Sequence, residues 1–548
     1  MPLFYKHNGA AVPIISDPNV INDSTPDNKT AYSSDKIVEL LGGKVDKVQG
    51  KGLSTNDFSD EEKQKLDGMI DDTAAGADKT YSSNKINTIN ADKETKSVEL
   101  SYAEYTALVE KDPNTSYYVP DAPDDLEHFC YSYKINMNDS NPFTNCSPHY
   151  DSRYGCDNYN FTNAKMNYTT GTFDYGSWEN FIKRIAKPCM LKYNGEVDYY
   201  LDPDDYSKKV TGEASDVANV NYGGNVMVEL EKLYFKRYTY NGYQYCFISD
   251  KKLDNSFKCW AHHDKYGKEL DYIYRAAYDG SYDGTRLRSI SGIDYHNLNA
   301  LTVNKIMSNT TRAEEIAFAQ ANNVASEQGE GWYILHKSEW DYINDILFLI
   351  GMSTDVQTTF GRGRDSGYVS TADTGIVSTG TMDDKGLFWG KNDGSAGVKV
   401  LGFENPWANL YKSMAGYISA SGTQKIKQTY GTEDGSTVTG FNTDGTGYVV
   451  ITGATPTKGD SSASGDGYIT AWKYNDYGLI PYECTSAGSS AKFIPDYFYF
   501  NNNQTNFALV GGDSNNSLNC GLFVRLNNGA GARNWDFGAA LSYKGKAA

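Results

Sequence analysis

The chain runs to 548 residues with a formal net charge of −19, and it carries 44 Tyr and 52 Gly against only 15 Pro. An acidic excess of this size argues against nucleic acid or an anionic membrane as partner, because both are gripped by clustered Lys and Arg. No run of about 18 apolar residues exists, so no membrane insertion is expected, and eight Cys in this length make no disulfide framework.

Such a length leaves room for several domains and at least one large core. The Tyr content points to β-rich, loop-rich structure with wet aromatic surfaces. The opening MPLFYKHNGAAVP has no charged segment followed by an apolar one, so no secretory signal is read and synthesis in the cytoplasm is expected.

Residues 1–98 read as repeats. Lys29-Thr30-Ala31-Tyr32-Ser33-Ser34-Asp35-Lys36-Ile37 returns as Lys79-Thr80-Tyr81-Ser82-Ser83-Asn84-Lys85-Ile86. In each copy a Ser caps a short helix with a narrow apolar stripe, Ile37, Leu40 and Leu41 or Ile86 and Ile89. Between them Ser59-Asp60-Glu61-Glu62 opens a third helix with Leu66, Met69 and Ile70 on one face. Helices this short are marginal alone. Two readings stay open: a solvated linker, or stripes buried between identical chains in a trimeric stalk. Residues 99–126 follow as a helix–strand linker, with a capping box at Ser101 and Glu104, a Pro113-Asn114 turn, and a strand around Tyr117, Tyr118 and Val119.

The segment Val45-Asp46-Lys47-Val48-Gln49-Gly50-Lys51-Gly52-Leu53-Ser54, continuing to Phe58 and Leu66, resembles a module common in bacteriophage tail-fibre and baseplate proteins. Leu100-Ser101-Tyr102-Ala103-Glu104-Tyr105 with Asp112-Pro113-Asn114-Thr115 resembles a second tail linker module. Together they cover roughly the first fifth of the chain. The resemblance implies a virion (phage tail) location, a homotrimer, and other tail or baseplate proteins as partners of the N-terminal region.

Residues 127–225 form an aromatic, Cys-bearing intermediate region. Cys130, Cys146, His149 and Cys156 crowd one stretch, and Cys259 precedes His262, His263 and Asp264 further on. Thiolates and imidazoles suit zinc, but no Cys-x-x-Cys spacing is present. Buried free thiols and packed histidines are the favoured reading, with no metal site and no cofactor expected.

Residues 226–548 read as one domain. Met227–Leu230, Leu233–Tyr238 and Gln244–Ile248 read as adjacent strands, the last two joined by an Asn241-Gly242 turn. Thr311-Arg312-Ala313-Glu314 is a capping box opening one helix. Ser338 is expected to cap a second, whose Trp340, Ile343, Ile346, Leu347 and Ile350 lie largely on one side.

Gly331-Trp332-Tyr333-Ile334-Leu335-His336-Lys337-Ser338-Glu339-Trp340 resembles the formylglycine-generating-enzyme family of C-type-lectin-like folds. Gly402-Phe403-Glu404-Asn405-Pro406-Trp407 and the closing Gly511-Gly512, Arg525 and Phe537-Gly538 are similar to later elements of that family. The fold class so implied is α+β: a short-helix N-terminal trimeric stalk, then a β-rich C-type-lectin-like domain with two flanking helices. The same fold carries ligand-binding proteins diversified by retroelements, the phage major tropism determinant among them, whose variable segment is C-terminal and rich in Asn codons. Residues 493–542 look like such a segment.

That segment holds an unusual load of amides. Burying Asn is costly unless it is fully hydrogen-bonded, so most are expected at the surface, where short polar groups mixed with Tyr make an adaptable binding face. The ligand-binding residues expected are Tyr497, Tyr499, Asn501, Asn502, Asn503, Asn506, Asp513, Asn515, Asn516, Asn519, Asn527, Asn528, Asn534 and Asp536. In Leu522–Leu526 one face is apolar, while Asn534 and Asp536 are expected to face away from Trp535 and Phe537. The alternative is that these Asn serve ordinary turns.

The function expected is an adhesin that recognises a bacterial cell-surface glycan or protein without catalysis. A glycan depolymerase is the enzymatic rival and needs two carboxylates across a cleft; Asp202, Asp204 and Asp205, or Asp383 and Asp384, are the acids available. Cys484 and Cys520 lack the local motif of the formylglycine-generating enzymes, so that activity is not carried over. A purely structural baseplate or fibre role is the third reading.

Overall fold

The computed structural model describes residues 128–156, 158–264, 267–296, 301–324, 331–369, 374–428, 447–522 and 524–545. Before residue 128 it describes only four short strands. The chain divides into two units, Met1–Ala122 and Pro123–Ala548. In the first, Phe4–His7 pairs antiparallel with Ala10–Pro13, and Ser97–Glu99 pairs parallel with Ser116–Tyr118. The second pair includes the strand expected around Tyr117. The stalk helices, their caps and the capping box at Ser101 lie outside the described residues.

Strand accounts for 38% and helix for 11% of the structure, so the expected α+β class is corrected to a predominantly β fold. Among the described residues the α-helices are four: Glu179–Ile185, Arg312–Gln320, Lys337–Gly351 and Val356–Phe360. The physical reason lies in the composition: Tyr, Val, Ile and Phe favour pleated surfaces, and the abundant Gly breaks the chain into turns.

Three sheets carry the second unit. A seven-stranded sheet runs, in spatial order, from Asp205–Lys209 through Val197–Asp202, Ala186–Lys192, Gly224–Glu231, Tyr272–Ala276 and Leu541–Tyr543 to Trp332–Ile334. A four-stranded sheet contains Tyr234–Tyr240, Tyr243–Ser249, Cys130–Asn136 and Cys146–Pro148. The Asn241-Gly242 turn forms as expected, with φ of 49° and 78°, the pair of positive angles a two-residue hairpin requires. The Gly224–Glu231 strand, however, belongs to the seven-stranded sheet and not beside that hairpin. A ten-stranded sheet spans Tyr411–Ala420, Ser464–Asn475, Ile494–Asn501, Thr505–Val510 and Val524–Leu526 among others.

Both helices expected from the sequence are present, with one change of role. Arg312–Gln320 has its capping box complete, Thr311 and Glu314 each bonding the other's backbone. Lys337–Gly351 is not a flanking helix: every one of its residues is buried. Its N-cap is His336, whose Nδ1 accepts from the Ser338 N–H at 3.2 Å, in place of the expected Ser338. All-round burial is tolerated because each charge meets a partner. Lys337 pairs with Asp341. Asp345 takes Arg237 Nε at 2.6 Å and the hydroxyls of Tyr133 and Tyr474 at 2.7 and 2.9 Å.

Candidate functional site

The site grows from the alternation of one strand, Ile494–Asn501. Phe498 and Phe500 enter the main core, while Tyr497 and Tyr499 between and before them turn the other way and stay half-buried. Their neighbours are set by register. Tyr468 lies opposite Tyr497, Asp466 opposite Tyr499 on one side, and Arg525 opposite Tyr499 on the other.

The result is a rank of rings on two strands with a guanidinium on a third. Tyr468 meets Tyr497 edge-on at 5.1 Å between centroids, and Tyr497 meets Tyr499 at 5.1 Å. The Arg525 guanidinium lies 5.7 Å from the Tyr499 ring centre, 5.0 Å from Tyr411 and 5.3 Å from Phe537. Polar groups bracket the rank. Tyr497 donates to Asp466 at 2.8 Å, Tyr468 donates to Asn519 at 2.7 Å, and Arg525 Nε donates to Asn527 at 2.8 Å. Tyr411, Leu509 and Phe537 make a small second core beneath.

Beside this rank sit Asp513 and Asp536, both buried, with Asp536 Oδ2 3.4 Å from Arg525 Nη1. Burial, and for Asp513 the neighbouring Asp536 charge, hold both carboxyls above the ordinary carboxylate range, with Arg525 pulling the other way. The loop that brings Asp513 inward depends on Gly511 and Gly512, at φ +91° and +80°. A Cβ at Gly512 would stand 2.6 Å from the Cys520 sulfur, so the close approach requires glycine.

Of the residues expected to bind ligand, Asn503 and Asn515 are exposed, and Asn506, Asp513 and Asp536 are buried. Tyr497, Tyr499, Asn501, Asn502, Asn516, Asn519, Asn527, Asn528 and Asn534 are intermediate. Asp536 thus points inward and not outward beside Asn534.

Many of the amides are committed to the chain itself. Asn502 Nδ2 donates to the carbonyls of Pro456 and Ser462 at 2.9 and 2.6 Å, and Asn506 Nδ2 to that of Asn501 at 2.6 Å. Asn501, Asn516 and Asn534 accept from the backbone N–H of Asn503, Asp513 and Trp535, and Asn528 donates to Asn527. The structure gathers Tyr497, Tyr499, Asn519, Asn527, Asp513 and Asp536 around the ring rank, and leaves Asn501, Asn502, Asn503 and Asn506 in a separate turn. Sequence reasoning missed Asp466, Tyr468, Tyr411 and Arg525 as site residues, which reach the site through strand register; Tyr468, following Gly465-Asp466-Gly467, carries the one local signal.

A second concavity, about 580 Å³, is lined by Arg237, Tyr238, Trp472, Tyr474, Tyr477 and Tyr482 among others, with Asp476 as the one carboxylate of its lining. The acids raised as possible catalytic pairs lie elsewhere. Asp202 accepts from the Asp204 N–H at 2.9 Å in a turn, Asp205 pairs with Lys208, and Asp383 takes hydrogen bonds from Tyr278 and Ser291. All eight cysteines are buried free thiols. Among the described residues no helix is long and apolar enough to cross a membrane. No protein-family model and no curated protein matches the chain.

Proposed function

We propose that this chain is the receptor-binding protein of a bacteriophage tail, and that it grips a bacterial surface glycan or protein on the face built from Tyr468, Tyr497, Tyr499 and Arg525. The observation that carries the reading is the half-buried ring rank on a sheet whose opposite side is the main core. Tyr supplies large amphipathic contact area at low entropic cost, and Asp466, Asn519 and Asn527 around it offer directional hydrogen bonds, with the exposed Asn515 in the loop that carries Asn519. A rigid sheet under a polar, loop-edged face is the usual arrangement of a binding protein.

Placement on a phage tail rests on the N-terminal sequence resemblance. A homotrimer in several copies per virion turns modest individual contacts into avidity. Binding needs no chemistry, and Asp513 and Asp536 are buried away from the face.

The test is saturable binding of the purified chain to candidate host cells, beside a Tyr497→Ser/Tyr499→Ser variant. Loss of binding on the order of ten-fold or more, with thermal unfolding shifted by only a few degrees, is expected of central contact residues. Undiminished binding by a folded variant would remove this face from the function. Release of reducing sugar from host polysaccharide would move the reading to a depolymerase.

A further inference from the structure

Away from this face, Cys259, His263 and Glu269 converge: the Cys259 sulfur, a ring nitrogen of His263 and a Glu269 carboxylate oxygen all lie within 4.8 Å of one another. The fold makes this cluster by short-range means. Cys259 and His263 bracket a single 3-10 turn, Trp260–His262, which puts both side chains at the two ends of one tight coil. The chain then doubles back, and His263 pairs antiparallel with Glu269 just before the Tyr272–Ala276 strand.

We infer that Cys259, His263 and Glu269 form a binding site for one divalent transition-metal ion of the zinc class, which clips the segment between the Tyr243–Ser249 and Tyr272–Ala276 strands to itself. A thiolate, an imidazole and a carboxylate are the donor set that zinc accepts, at about 2.0–2.3 Å each. Tetrahedral donors at those lengths stand roughly 3.5 Å apart, so a closure on the order of an ångström suffices.

The surroundings orient the donors. His263 Nδ1 lies 3.0 Å from the Cys259 carbonyl, which fixes the imidazole plane against its own turn. The Tyr234 hydroxyl donates to Glu269 Oε2 at 2.7 Å, which fixes the carboxylate beside Cys259 and His263. Carbonyl-bonded imidazole and hydroxyl-bonded carboxylate are the outer partners that metal ligands ordinarily have. Burial lowers the affinity of His263 for a proton and pushes the Cys259 thiol up to about 12. On binding, the S–H bond gives way to a metal–sulfur bond and the proton leaves to solvent.

Charge also closes. Thiolate, carboxylate and a dication sum to zero. Lys232 is 3.8 Å from Glu269 but 2.8 Å from Asp271, its closer partner. Cys259 is buried, whereas Glu269 is exposed, so the fourth position opens to water.

The test uses the full chain, reduced and stripped by a chelator, titrated with Co²⁺. One equivalent should produce a sulfur-to-cobalt charge-transfer band that Zn²⁺ abolishes. Cys259→Ser should lose the band, and His263→Ala and Glu269→Gln should weaken affinity roughly ten-fold or more. Cys130→Ser is the control, since the Cys130 and Cys156 sulfurs lie 3.0 Å apart and share a hydrophobic cluster with Cys259; it should keep the band. Absence of a band in the parent chain overturns the site, as does a band that survives Cys259→Ser or vanishes with Cys130→Ser. Should Cys259→Ser fail to fold, unchanged affinity in the half-buried His263→Ala and exposed Glu269→Gln variants overturns it equally.

Discussion

Two loops of the C-terminal region carry nearly the same side chains and use them differently. In residues 501–506 two amides are tied to the chain: Asn502 holds two carbonyls, and buried Asn506 holds that of Asn501 while accepting from Gln504 at 2.7 Å. In residues 513–519 the backbone is held by Asp513 and by Asn516 Oδ1, which leaves the Asn515 side chain exposed and sets Asn519 against the ring rank through Tyr468. The contrast teaches that amide content does not locate a binding face. What decides is whether the carbonyls and N–H groups that an Asn can reach already have partners.

The largest effect should come from the first of these loops. Asn506→Ala removes a buried amide that joins Asn501 and Gln504, and it leaves the Asn501 carbonyl without that donor. Loss of about 2 kcal/mol is expected, the cost of orphaning a buried polar group, read as a lower midpoint in chemical denaturation. Binding per folded molecule should hold. If binding fell while the midpoint stayed, the two loops would have exchanged roles.

A smaller effect sharpens the comparison beneath the rings. Asp513 and Asp536 have folded-state pKa values raised by burial. For an acid so shifted, the folded protein holds protons that the unfolded chain has released. Its stabilising contribution is therefore complete below the ordinary carboxylate value near 4 and declines as pH rises through the raised folded value. Each such proton contributes a slope of up to about 1.4 kcal/mol per pH unit. Asp513→Asn keeps an oxygen for the Asn515 N–H but removes one of the two titrating carboxyls. The fall in stability from pH 4 towards neutrality should be shallower in that variant than in the parent chain, measured by denaturation across that range. Parallel pH profiles would mean that the pair does not hold a proton.

How far these features could be read from sequence follows from how far apart their partners stand. The Thr311–Glu314 capping box and the Asn241-Gly242 turn are contained in four residues or fewer, and both are found as expected. The outward Tyr497 and Tyr499 follow from the two-residue period of a strand. By contrast, the burial of Lys337–Gly351 on every side depends on Arg237, Tyr133 and Tyr474, each more than a hundred residues from Asp345. An apolar stripe cannot reveal that the polar side is also satisfied, and so the helix reads as a flanking one. Asp466 and Arg525 join the site through the same kind of distant pairing, across both edges of the strand that carries Tyr499.

The smallest stability effect belongs to Asn515, and it is the most discriminating. Its backbone N–H, not its side chain, holds the loop by donating to Asp513 at 2.7 Å, and its amide is exposed. Asn515→Ala should therefore change stability by no more than about 0.5 kcal/mol, the range of surface substitutions without a structural role. Any loss of host-cell binding in this variant then reports contact with the ligand and not damage to the fold. Paired with Asn506→Ala, the outcome separates two kinds of Asn by measurement: one whose removal costs stability and spares binding, the other the reverse. A variant at position 515 that unfolds early, or that binds as well as the parent chain, would break that division and place the ligand nearer Tyr468 and Asp466 instead.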